Sequence, residues 1–401
     1  MNDISKRTEN HILLLLASLN FTHILDFMIM MPLGNYLMPH FHISPQQFTF
    51  LVSAYAFSAG TSSFLSAFYV NDFDRKKVLM MAYAGFLLGT LACGFAPTYH
   101  LLLVGRIVAG IFGGMIGAQV ISIVADLIPY ERRGKAMGMV MAAFAVSSTL
   151  GVPFSLYLAY AFSWQSPFIL VAVLGLVLLP LIHKFIPNMQ EHMDEKEVQE
   201  KWNVLSSIVG DKRATLALIF SGLMMMGHFM IIPFINPFLE FNMGYAKTAT
   251  PLVYLCGGIS SFLAANILGR IADKIGKWRT FTFCILASLP LILVITNLPK
   301  IPLIYLLIIF SLWFMAATGR GVTAQAMVSN VPNAQVRGSF QSFNSFMQQL
   351  GTGLASIIAG FVIIKNDNGI LEHYNILGLL SIGILLLNLF VGYLIFNEES
   401  A

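Results

Sequence analysis

The sequence predicts an all-α membrane protein: twelve transmembrane helices arranged as two pseudo-symmetric six-helix bundles. Three observations carry that expectation. Of 401 residues 57% are hydrophobic and 10% charged, with a mean hydropathy of +0.76, whereas soluble chains carry about 25% charged residues. Apolar runs of about 20 residues, the length a helix needs to cross the hydrocarbon core, recur along the whole chain. The stretch Asp26-Phe27-Met28-Ile29-Met30-Met31-Pro32-Leu33-Gly34-Asn35 nearly returns as His228-Phe229-Met230-Ile231-Ile232-Pro233-Phe234-Ile235-Asn236, with one residue dropped and the acid replaced by a histidine.

The expected spans, numbered 1 to 12, are 11–38, 46–70, 77–95, 99–126, 134–160, 165–186, 214–240, 246–270, 279–297, 301–328, 338–364 and 373–396. Their alternation is supported by charge. Eighteen of the 23 Lys and Arg residues fall at one set of span ends, three (Lys247, Lys300, Lys365) at the other, and Arg106 and Arg320 within spans. Basic residues collect on the cytoplasmic side, so both termini are expected to be cytoplasmic, in a multi-pass protein of the inner (plasma) membrane. The net charge of +4 is then a topology signal, and no nucleic-acid partner is expected. The first run is too long for a cleavable signal peptide, and it carries His23 and Asp26. Cys93, Cys256 and Cys284 lie in apolar spans without paired spacing, which suits buried small hydrophobes; neither a metal nor another cofactor is expected.

Connections are short except for residues 187–212, which hold six acids and three bases. The expected organisation is a bundle at 1–186, a cytoplasmic linker at 187–212 and a second bundle at 213–401. Val198, Trp202, Leu205 and Ile208 recur at helical spacing, so part of the linker is either an amphipathic helix at the inner surface or a solvated tether. The repeat extends further. Asp72 and Asp273, each followed by bases, are 201 positions apart, and Arg133-Gly134 and Arg337-Gly338 are 204 apart, close to the 202 from Asp26 to His228. Tandem six-span halves with a site near the midplane are a common plan of secondary transporters.

At these residues the chain resembles the major facilitator superfamily, in its drug:proton antiporter branch and near arabinose-efflux-permease-like and sugar efflux proteins. Gly269 to Arg279 fits the cytoplasmic loop signature, and its first copy keeps Asp72 but has Phe68 and Arg75 where glycines are usual. Leu103-Val104-Gly105-Arg106-Ile107-Val108-Ala109-Gly110 resembles the signature built around an intramembrane arginine. Asp126 to Ala136 is similar to the loop that follows it, and Leu150-Gly151-Val152-Pro153 to the fifth-span Gly/Pro motif. The resemblance implies a major facilitator fold. It also implies a cytoplasmic gate in which Asp72, Arg132 and Arg133 take part, with Asp126 and Asp273 at the same helix ends.

Asp26 lies about 15 residues into its span, near mid-bilayer at a rise of ~1.5 Å per residue. An acid at that depth costs ~2.5–3.5 kcal/mol on insertion scales, and a carboxylate without a partner there tends to be neutral. Asp26 is therefore a candidate for the coupling proton or for a cationic substrate group; a static partner for Arg106 or for His23, one turn earlier, is the alternative. His228 takes the equivalent place as a proton-responsive group or as a neutral interhelical hydrogen-bond partner. Arg106 keeps its charge under working conditions and calls for an anion, a carbonyl array or Asp26. Arg320, late in span 10, reads as able to snorkel to the inner interface and not as a site. Phe27, Asn35, Phe229, Asn236, Gln348 and Gln349 are candidate cavity-lining residues. Pro32, Gly151, Pro153 and Pro233 are candidate hinge or packing positions.

The expected function is proton-coupled efflux of a small organic solute, drug or sugar-like, by alternating access, with one copy of the chain as the working unit. A proton-coupled importer of a small nutrient is the alternative. No Gly-x-x-x-x-Gly-Lys loop is present, which argues against ATP-driven transport by this chain. The absence of a catalytic constellation and a linker of only 26 residues argue against an enzyme or a sensor.

Overall fold

The computed structural model describes residues 6–69, 73–128, 130–189, 208, 210–332 and 337–397. Every expected span corresponds to a helix or a broken helix. Span 1 comprises Lys6–Met30, a 3-10 turn at Met31–Leu33 and Gly34–Phe41. Spans 2 to 4 are Pro45–Tyr69, Arg75–Gly94 and Tyr99–Leu127. Span 5 comprises Tyr130–Val146, a π-turn at Ser147–Gly151 and Val152–Ala161; span 6 is Ser166–Phe185. Span 7 comprises Lys212–Phe229, a 3-10 turn at Ile232–Phe234, Ile235–Pro237 and a π-turn at Phe238–Asn242. Spans 8 to 12 are Ala249–Ile275, Lys277–Thr296, Leu303–Val328, Arg337–Val362 and Tyr374–Phe396.

Eleven of these are long and apolar enough to cross a membrane. Span 11 is the exception, because Gln341, Ser342, Asn344, Ser345, Gln348, Gln349 and Thr352 lower its hydropathy. It is packed between spans 2 and 7, with Asn344 and Thr352 buried and the other polar groups half-buried. Only a two-residue hairpin, Ile364–Lys365 paired with Leu371–Glu372, departs from an all-helical fold among the described residues. Side-chain caps start several spans: Asp74 accepts from Lys76 N at 2.8 Å, and Asp211 accepts from Arg213 N at 2.8 Å, each satisfying an otherwise orphaned amide.

Three breaks fall at prolines, whereas Pro180 and Pro290 lie inside the continuous helices of spans 6 and 9. Pro32 and Pro233 open the two 3-10 turns, and Pro153 follows the π-turn that ends at Gly151. A proline ring removes one backbone donor and clashes with the preceding turn, so a continuous α-ladder is lost there. Packing between spans relies on backbone approach. A Cβ on Gly114 would lie 2.1 Å from the Ala59 carbonyl oxygen, and one on Gly351 2.2 Å from that of Gly222, so span 4 meets span 2, and span 11 meets span 7, through small residues.

The first six spans meet the last six along two seams, span 2 against span 11 and span 5 against span 8, and at the far ends of spans 1 and 7. Those far ends lie opposite the basic clusters, on the face expected from the charge asymmetry to be the outer one. The perimeter is apolar: Leu88, Phe162, Val177, Phe283, Ile304, Phe361 and Phe390 are all exposed, a surface suited to acyl chains, whereas backbone polar groups are kept within helices. The linker pattern at Val198, Trp202 and Leu205 and the side chains of Asp72 and Arg133 lie outside the described residues; Ile208 is buried.

Candidate functional site

The broken first helix and the fourth span bring Asp26 and Arg106 together at the core of the first six spans. Both side chains are fully buried, and Arg106 Nη1 donates to Asp26 Oδ2 at 2.7 Å and to the Asp26 carbonyl oxygen at 3.3 Å. Thr90 of span 3 donates to the other carboxylate oxygen at 3.2 Å. The Arg106 guanidinium also lies 4.3 Å from the centre of the Tyr55 ring of span 2, a cation–π contact. Its Nε and Nη2, and the Tyr55 hydroxyl, have no hydrogen-bond partner. The pair is therefore held by one direct side-chain bond where a two-pronged arrangement is usual for arginine and carboxylate. His23 is not part of it: its Nδ1 has no partner, and its ring leans toward Phe86 at 6.4 Å.

The last six spans hold a second buried guanidinium. Arg320 is 2% exposed; its Nη1 donates to Ser288 Oγ of span 9 at 3.1 Å, and its Nη2 lies 3.0 Å from His228 Nδ1. This corrects the reading of Arg320 as a snorkelling residue. The guanidinium is held inside the bundle, between a histidine nitrogen of span 7 and a serine hydroxyl of span 9. A guanidinium can only donate, so Nδ1 must be the lone-pair nitrogen of a neutral His228 with its proton on Nε2. The His228 ring stacks on Trp313, two turns before Arg320 on span 10, with centroids 5.4 Å apart. Arg320, Ser288 and Trp313 carried no motif, nor did Thr90 and Tyr55. The available signal for Arg320 was its apolar surroundings alone.

Phe27 and Phe229, the residues next to Asp26 and His228, face each other across the two halves at 5.9 Å, and Phe27 also meets Tyr55 at 5.3 Å. Both phenylalanines are half-buried. Gln348 lies near Gln325 at 3.4 Å and, like Gln349, is half-buried on span 11.

Asn35 and Asn236 do not line a cavity. They are 1% and 0% exposed and cross-link the far ends of spans 1 and 7. Asn35 Nδ2 donates to Glu240 Oε1 at 2.6 Å, and Asn236 Nδ2 donates to the Pro32 carbonyl at 2.7 Å. Each is the last residue of the repeated motif, and each reaches into the opposite half, because the 3-10 turns at Pro32 and Pro233 carry the two chain segments against one another. Thr250 adds a 3.3 Å bond to the same Glu240 oxygen. Glu240 was missed from sequence, although an acid at the end of an apolar run was a usable signal.

The candidate gate residues behave differently at the basic ends. Asp126 pairs with Arg75, and Arg132 with Glu9 at 2.8 Å, all within the first six spans. Asp273 is exposed. Among the described residues none of the gate candidates bridges the two halves at that end. Arg75, which stands where a glycine is usual, is only 9% exposed and is used in the ion pair with Asp126.

Residues 16–356 match the Major Facilitator Superfamily. The chain belongs to that superfamily. This facilitator is 25% identical over 343 residues to the uncharacterized MFS-type transporter YceJ of Bacillus subtilis (strain 168), covering 84% of this chain and 85% of that one. It is 24% identical over 232 residues to the putative transporter AraJ of Escherichia coli (strain K12), covering 57% of each. Among solved structures, its fold is similar to that of a bacterial homologue of the human lysosomal transporter Spinster in an inward-facing, unoccupied conformation, with a TM-score of 0.77, 14% identity and 98% of both chains covered. It is also similar to a D-xylose-proton symporter, with a TM-score of 0.76, 17% identity and 94% and 97% coverage. This facilitator is thus a multi-pass membrane transporter.

Proposed function

We propose that this chain is a proton-coupled exporter of a small organic solute that works by alternating access, with Asp26 as the proton site and Arg106 as its responsive partner. The observation that carries the reading is the fully buried Asp26–Arg106 pair, held by one side-chain bond while two Arg106 nitrogens have no partner. Protonating Asp26 removes the charge that holds Arg106, and the guanidinium must then find new acceptors. Since Arg106 also rests on Tyr55 of span 2, and span 2 runs along span 11, the proton state of one carboxylate biases how the two halves pack. A transporter needs such a difference in affinity between its two states.

The state described here is read as inward-facing. Spans 1 and 7 are joined at their outer ends by Asn35–Glu240 and Asn236–Pro32, while the described gate candidates pair only within their own half. The inward-facing Spinster homologue and this chain share a fold, which agrees with that reading. A second reading, import with protons, draws on the fold shared with the D-xylose-proton symporter. Proteoliposomes separate the two. Loaded with a diverse solute panel, they should lose a transported solute against its gradient when the compartment opposite the solute is made acidic, as an exchange of solute for protons requires. Accumulation running with the proton gradient would favour import, and flux indifferent to it would defeat both.

A further inference from the structure

The charges inside the membrane do not balance between the two halves. Among the described residues that lie well inside the spans, Asp26 is paired with Arg106, and Glu240 is engaged at the outer end by Asn35 and Thr250. Arg320 has no carboxylate partner; it donates only to neutral groups, Ser288 Oγ and His228 Nδ1. Burying an ion without a counter-charge is expensive, and a fold that keeps one there has a use for it. Two further features lie at the same place. Trp313, stacked on His228, is fully buried with its Nε1–H lacking a partner. His228 is the one member of the group that is partly exposed, and its neighbour Phe229 is half-buried opposite Phe27.

We propose that Arg320, His228 and Trp313 form the substrate's head-group site, and that the transported solute is an amphiphilic organic oxyanion: a carboxylate, phosphate or sulfonate on an apolar or aromatic body. The oxyanion takes the place of His228 Nδ1 as acceptor on the Arg320 guanidinium and accepts a second bond from Trp313 Nε1. The body packs against the apolar surface that Phe27 and Phe229 form together, with the Tyr55 ring beside Phe27 at 5.3 Å. Neutral acceptors on Arg320 suit this role, because they hold the guanidinium in place without competing with an anion as a carboxylate would. The assignment rests on the transport reading for its biological sense, but not for its test.

Thermal unfolding of the full-length protein in a non-ionic detergent tests it without any gradient. The probes are phenylacetate, naphthylacetate, decanoate and naphthalenesulfonate, each beside its amide and amine counterparts. At least one oxyanion should raise the unfolding midpoint saturably, with its amide and amine weaker by about tenfold or more, the range of a hydrogen bond to a charged group. Arg320→Gln should lose that selectivity, Arg320→Lys should retain part of it, and Trp313→Phe should weaken binding several-fold. The head-group preference in the unmodified protein and the Trp313→Phe result keep the test decisive if Arg320→Gln does not fold. Equal shifts for all three head groups, no shift with any oxyanion, or undiminished selectivity in Arg320→Gln would overturn the proposal. Binding selectivity with flux indifferent to a proton gradient would sink the coupling reading alone. Gradient-driven flux of amines or amides in preference to oxyanions would sink this proposal alone.

Discussion

The two halves of this transporter each bury a guanidinium, and they satisfy it in opposite ways. Arg106 is held by a carboxylate, Asp26, which a proton can neutralise; Arg320 is held by a neutral histidine nitrogen and a serine hydroxyl. The repeat that generates both halves puts Asp26 and His228 at one depth, but the arginines are not repeat partners. Arg106 lies near the start of span 4, and Arg320 lies late in span 10. The duplicated scaffold thus buries one guanidinium against an acid and the other against neutral groups, with the head residue of the motif changed and the arginines at different positions along their spans.

Breaking the charged pair should have the largest effect. Arg106→Ala leaves Asp26 buried without its counter-ion, and loss of one partner from a buried pair costs about 3–5 kcal/mol; a large fall in the unfolding midpoint, or loss of folded material, checks this. Giving the second half the character of the first is the next step down. His228→Asp supplies Arg320 with a carboxylate, so the folded protein should persist while oxyanion stabilisation is lost; unchanged oxyanion binding would contradict the assigned contrast between the halves.

Much of the fold was legible from sequence, because hydrophobic run length, basic-residue alternation and the repeat each follow directly from the bilayer as solvent. The prolines at the breaks, Pro32, Pro153 and Pro233, were visible as possible kink points, but Pro180 and Pro290 sit within continuous helices, so a proline alone does not say which ladder is interrupted. The site was only half legible. Asp26, Arg106 and His228 stand out because ionisable groups are rare at that depth, but Thr90, Tyr55, Ser288 and Trp313 are ordinary residues for a membrane helix and gain meaning only from three-dimensional neighbours. Arg320 was misread because distance along a helix does not tell which way a long side chain turns. Asn35 and Asn236 were expected in a cavity and instead are buried in hydrogen bonds between the far ends of spans 1 and 7, since the 3-10 turn at each proline brings the two segments together.

A smaller effect tests whether the outer contacts hold one state. Glu240→Gln keeps an acceptor opposite Asn35 but removes the charge assistance, a loss of about 1 kcal/mol, or roughly fivefold in the ratio of states. Increased labelling of a cysteine placed near the outer ends of spans 1 and 7 would register that shift toward the outward-open state; unchanged labelling would mean that the latch does not set the balance. The smallest effect is expected from His228→Gln, which retains an acceptor for Arg320. Its pH profile of transport should match that of the unmodified protein, because His228 acts as a neutral acceptor and not as the proton carrier; a flattened profile would reassign the proton to the second half.

The most direct measurement is proton movement itself. In proteoliposomes reporting internal pH, addition of a transported solute should drive proton flux with the unmodified protein, and Asp26→Asn should abolish that flux while downhill movement of the solute continues. Solute-driven proton flux that survives in Asp26→Asn would contradict the account.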